Sequence, residues 1–122
     1  SIIDINDRLF FFKDWYNMSV KGKKKYESKL KDHKIDRLFE AILKLESEEE
    51  CYRFFEDLCT IAELKSLAQR LQVAEMLDKN LSYNSIADES GASTATISRV
   101  KKCLNYGADG YKLVINKLSE ER

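Results

Sequence analysis

The residues with types and spacing suited to chemistry are concentrated between Ser82 and Leu104. Hydroxyls at Ser93, Thr94, Thr96 and Ser98 are interleaved with Ala95 and followed by cations at Arg99, Lys101 and Lys102, and no acid occurs from Ser90 to Ala108. Short hydroxyl and methyl groups can approach base edges, an arginine can reach a guanine or a phosphate, and lysines neutralise phosphates. The chemistry this spacing supports is docking on double-stranded DNA, with Ser82, Tyr83 and Asn84 placed to touch the phosphate backbone from a preceding helix. Two ordinary packed helices with a solvated basic face would use the same residue types. The coincidence of a short first helix, a glycine turn, a Ser-Thr-Ala-Thr run and an unbroken basic segment within one stretch favours the DNA interface.

Such an interface needs two helices held at a fixed angle, and the sequence carries the signals for both. Ser82 is a candidate N-cap, Ile86 is a core contact, and Ala87 is small enough to let a second helix come close. Gly91 falls where a left-handed backbone can end the first helix and turn the chain. Ser93 is placed to cap the second helix, whose inward face is Ile97, Val100 and Leu104. This predicts a helix-turn-helix over 82–104.

The same signals recur upstream. Ile35, Leu38, Phe39, Ile42 and Leu43 share one helical face, with Asp36, Arg37, Glu40 and Lys44 opposite. Ser47, followed by Glu48, Glu49 and Glu50, is an N-cap with acids in the first turn, predicting a helix to about Leu58. Thr60 and Glu63 form a T-x-x-E capping box at the head of the longest helix, which runs to about Asp78. After the glycine-bearing stretch 105–110, Tyr111, Val114, Ile115 and Leu118 mark a last helix. The fold class is therefore all-α, with about six helices. Residues 1–30 differ in composition, an aromatic cluster (Phe10, Phe11, Phe12, Trp15, Tyr16) giving way to a lysine-rich stretch, and are assigned to an N-terminal arm. Ile2, Ile5, Leu9, Phe12 and Tyr16 have helical spacing there, Lys21–Lys25 is assigned to a soluble linker, and Met18 is a candidate internal start. The helical domain is assigned to 31–122.

Length and composition agree with one such domain. The chain has 122 residues, 43% hydrophobic and 34% charged, with no proline to interrupt a helix. Its 21 basic and 21 acidic residues cancel, so any case for nucleic acid rests on local distribution. Cys51, Cys59 and Cys103 are odd in number, lack C-x-x-C spacing, and are expected as reduced core residues, Cys103 facing the body of the domain. No cleavable signal and no membrane-crossing run are seen: the apolar stretch Leu9–Phe12 is short and flanked by charge, so a cytoplasmic protein is expected. Catalysis and metal binding find no support, since His33 is the single histidine and lies among Lys31, Asp32 and Lys34. The acids from Glu46 to Asp57 are accounted for by helix-start charge and solvation, and no G-x-x-x-x-G-K phosphate loop occurs. The protein is not expected to be an enzyme. A helical protein-interaction module without a DNA operator is the alternative from another class.

Three blocks, Glu50–Cys59, Ser66–Leu71 and Gly91–Gly107, occur in an order that resembles the Trp-repressor superfamily, and within it the YerC/YecD group, over about residues 35–118. The resemblance implies a Trp-repressor-like, intertwined homodimer whose two recognition helices face successive major grooves, and hence a transcriptional regulator of the repressor type. It also implies an effector site flanked by two arginines. Arg99 matches the second, the first falls at about Gln69 beside Arg70, and Val100 stands where the family has glycine. A branched side chain at Val100 would fill the space of a tryptophan corepressor, so no cofactor is expected and any other effector is left unassigned.

Overall fold

The computed structural model describes residues 26–120, so the proposed helix of the arm, the linker Lys21–Lys25 and Met18 lie outside the described residues. The chain divides into two compact units, one ending at Leu45 and the other beginning at Glu46.

In the first unit, helix α1 (His33–Ile42) begins two residues earlier than its apolar face, because the Asp32 carboxylate accepts from the backbone N–H groups of Lys34 and Ile35. Its apolar stripe is not buried: Phe39 is 54% and Leu43 82% exposed.

The second unit holds five helices: α2 (Glu48–Leu58), α3 (Ile61–Asp78), α4 (Tyr83–Ser90), α5 (Thr94–Tyr106) and α6 (Gly110–Glu120). No strand occurs among the described residues, as an all-α chain requires. The expected caps form. Ser47 Oγ accepts from Glu50 N at 3.1 Å. Thr60 Oγ1 accepts from Glu63 N at 3.1 Å while the Glu63 carboxylate accepts from Thr60 N at 3.0 Å, completing the capping box. The Thr60 backbone N–H first, and then the Thr60 side-chain hydroxyl, hold the Glu63 carboxyl below the usual carboxylate range.

The end of α3 carries a stop signal that spacing alone does not reveal. Asn80 adopts φ 60°, its N–H donates to Leu77 O at 3.0 Å, and Leu81 N–H donates to Met76 O at 3.2 Å. This is a Schellman closure with asparagine in the left-handed position, which a short polar side chain tolerates better than a branched one.

The core is small and lies at one end of this unit. Val73, Ala74 and Met76 of α3 are buried with Ile86 of α4, Ala92 of the turn, Ile97, Val100 and Leu104 of α5, and Ile115 of α6; Leu77, Ala87 and Tyr111 pack against them. α3 makes its main contacts with α5 and α4, and through the second half of its length it is the platform on which the two later helices lie. α2 buries no residue. The expectation that the cysteines are core residues is overturned: Cys51 and Cys103 are exposed and Cys59 is half-buried, all three as free thiols. Cys103 adjoins buried Leu104 but sits at the edge of the α5 stripe rather than within it.

Gly107 ends α5 by a close approach. Its N–H donates to Cys103 O at 2.8 Å, and a Cβ built on it would collide with that same oxygen. Gly107→Ala is therefore expected to lower the unfolding free energy by roughly 1–3 kcal/mol, measured by urea denaturation; an unchanged midpoint would contradict this account of the α5 terminus. For Glu63 the direction of the pH effect follows from its lowered pKa. A depressed folded-state pKa contributes stability that is present above the ordinary carboxylate range and lost as pH falls below that range through the lowered pKa. The stability difference between the protein and its Glu63→Ala variant should shrink on acidification from pH ~7 to ~3, followed by thermal melting at each pH.

Candidate nucleic-acid interface

Helices α4 and α5 with the turn between them form the predicted helix-turn-helix. Ser82 Oγ caps α4 by accepting from Ser85 N at 3.2 Å and donates to Ser85 Oγ at 3.0 Å. Gly91 ends the helix at φ 71°, ψ 8°, with its N–H on Ala87 O. A side chain at this left-handed position would be strained whatever the surrounding space. Ser90 ties the turn internally: its hydroxyl donates to Ile86 O and accepts from Ala92 N at 3.1 Å. Ala92 then enters the core, 5% exposed, and Ser93 caps α5 by accepting from Thr96 N at 3.2 Å.

These local bonds set where α5 starts, and its apolar stripe decides which way it faces. Ile97 and Val100 are 0% and 1% exposed, and a helix with those two positions inward must present Arg99, Lys101 and Lys102 outward. All three cations are exposed, as are Ser93, Thr94, Ala95 and Ser98 at the helix start. None of the three is in an ion pair among the described residues. Thr96 departs from its expected outward placement: it is half-buried, and its Oγ1 accepts from Ser93 Oγ at 3.1 Å. The capping hydroxyl and the third helical residue thus hold each other.

Tyr83 and Asn84, expected as phosphate contacts from the first helix, are exposed on α4. The Lys101 ammonium lies over the Tyr83 ring, 5.3 Å from its centroid, a cation–π contact that joins the two helices on their outer side. That pairing was not foreseen in the sequence, because the residues are 18 positions apart on different helices.

The three residues assigned to an effector site do not share one environment. Arg99 is exposed and Arg70 half-buried. Gln69 is half-buried and its side-chain amide Nε2 donates to Ser90 O at 3.0 Å, so its donor is engaged by the end of α4. The Val100 side chain fills core space.

This arrangement has relatives. The sequence pattern of the Trp repressor protein family matches residues 33–119, which takes in α1 and all five helices of the second unit. The chain belongs to the Trp repressor family. It is 58% identical over 92 residues to the protein YerC of Bacillus subtilis, spanning 75% of this chain and 88% of YerC. Two solved structures share its fold: a candidate Trp repressor from Staphylococcus aureus (54% identity, TM-score 0.72, covering 75% of this chain and 91% of that one) and a TrpR-like protein from Eubacterium eligens (53%, 0.73, 76% and 96%). For a Trp repressor family member of YerC type, the caps, the left-handed glycine and the outward cations are the local features from which a DNA-facing surface would be built. The Trp repressor is itself a standard example of helix-turn-helix docking.

The relative weight of these local bonds can be measured. Ser93→Ala removes the α5 cap and is expected to lower the unfolding free energy by about 1 kcal/mol. Tyr83→Leu removes an exposed cation–π contact and is expected to lower it by about 0.5 kcal/mol. Chemical denaturation should rank Ser93→Ala as the more damaging; the reverse order would show that the outer contact, not the cap, holds the pair together.

Proposed function

We propose that this protein is a transcriptional regulator of the repressor type that binds specific double-stranded DNA as a homodimer, with no enzymatic activity. The observation that carries the reading is the exposed, acid-free face of α5, on which Arg99, Lys101 and Lys102 follow the hydroxyls and methyls of Ser93, Thr94, Ala95 and Ser98. In this reading the helix start meets base edges, Arg99 contacts a guanine or a phosphate, and Lys101 and Lys102 contact phosphates, with Ser82, Tyr83 and Asn84 on the flanking backbone. Thr96 contributes chiefly by bracing Ser93. Membership of a family of regulators rather than enzymes supports the same reading. Residues 31–122 are assigned to the regulator domain and 1–30 to an arm. A cytoplasmic place of action fits: no helix among the described residues is long and apolar enough to cross a membrane.

Dimerisation is supported by apolar surface that one chain leaves uncovered. Tyr52, Leu58, Ile61 and Leu67 are 59%, 49%, 76% and 45% exposed along α2 and the first half of α3. An exposed patch of this kind marks an interface, and a second copy of the chain presents the matching surface under two-fold symmetry.

Binding to labelled duplexes selected from a random pool tests the proposal. Affinity should fall steeply with salt, and Lys102→Ala should lower the salt slope by about 1 while weakening preferred and random duplexes alike. Arg99→Ala should cost about 1–3 kcal/mol on the preferred duplex if it reads a base. The selected sequences should be palindromic, with half-sites about 34 Å apart. Salt-insensitive or undetectable binding would leave a helical interaction module in its place.

A further inference from the structure

We infer that Gln69 is a positioning residue: its side-chain amide fixes the turn between α4 and α5 against α3, and so sets the orientation in which α5 presents its cations. The N-caps of α2 to α5 are local, each joining residues three apart. The Gln69 bond spans 21 residues, from the middle of α3 to the last residue of α4. Its acceptor, the Ser90 carbonyl, is one of the four at a helix C-terminus that lack an intrahelical partner.

Around that carbonyl the chain is bound on every side. Ser90 Oγ donates to Ile86 O and accepts from Ala92 N, and Gly91 N donates to Ala87 O. These bonds make the turn rigid within itself but leave it unattached to the rest of the molecule. The apolar contacts of Val73, Ala74 and Met76 with Ile86 and Ile97 hold the helices together without preferring one direction strongly. A part-buried hydrogen bond at 3.0 Å does prefer one direction. Gln69 also stands close under the turn: a Cβ added at Gly91 would meet Gln69 Nε2 at 4.0 Å. The amide therefore both bonds the turn and packs beneath it.

The consequence for DNA rests on the reading above, and the test separates the two. Gln69→Glu keeps the shape and removes the donor, Gln69→Met removes polarity, and Gln69→Lys restores a donor. Amide hydrogen exchange of the free protein and affinity for the preferred and random duplexes, well below each melting temperature, are the readouts. Exchange at Gly91 and Ala92 should quicken about tenfold in the Glu and Met variants, the scale of one lost part-buried hydrogen bond, while exchange in α2 stays unchanged. The preferred duplex should be weakened about tenfold more than the random one, and Gln69→Lys should recover both measures in part. Unchanged exchange at Gly91 and Ala92 overturns the inference, whatever happens with DNA. Faster exchange with an unchanged ratio of preferred to random binding reduces Gln69 to a stabilising residue and also overturns it. If the unaltered protein binds no duplex, the DNA reading fails, and the exchange data alone decide whether Gln69 fixes the turn.

Discussion

Ile86 from α4 and Ile97 from α5 are fully removed from solvent in one cluster with Val73 and Ala74 of α3. Each large aliphatic side chain buried in this way is worth about 1.5–3 kcal/mol, more than any single cap or surface contact in the molecule. Because Ile97 and Val100 are three positions apart, their joint burial fixes which face of α5 turns inward, though not the direction in which its axis lies. Arg99, Lys101 and Lys102 are then exposed by geometry rather than by any attraction of their own. The charged face of the helix is a by-product of the apolar one.

What the core cannot supply is direction at the turn, and polar groups supply it. Gly91 provides the left-handed step, Ser90 closes the turn on itself, Gln69 ties it to α3, and Ser93 starts the next helix. Each is a hydrogen bond or a backbone conformation of about 1 kcal/mol, small beside the core. Their value is angular. The opposite situation holds in α2 and the first half of α3, where apolar side chains are abundant but uncovered and polar bonds are confined to caps and surface pairs. In the proposed dimer it is this half of the unit that a second copy would cover.

Much of this was legible in the sequence because the signals are local. Ser47, Thr60 with Glu63, Ser82, Gly91 and Ser93 mark helix ends through contacts no more than four residues away, and each lies where it was expected. The inward stripe Ile97, Val100 and Leu104 follows from helical period alone. Three things were not legible. Asn80 ends α3 in a conformation that glycine signals more plainly. Cys51 and Cys103 lie on helices but not on covered faces, and period says which residues share a face without saying what lies on it. Gln69 was assigned to an effector site through resemblance, whereas its bond to Ser90 and the stacking of Lys101 on Tyr83 depend on tertiary geometry that no local pattern encodes.

Backbone amide shift changes on titrating a selected duplex test most directly whether the outer face of α5 is the surface that meets DNA. Changes should concentrate at residues 93–102, extend to 82–84, and leave buried Val73 and Ala74 and the exposed face of α2 nearly untouched. Changes centred on α2 and the first half of α3, with α5 silent, would contradict that assignment.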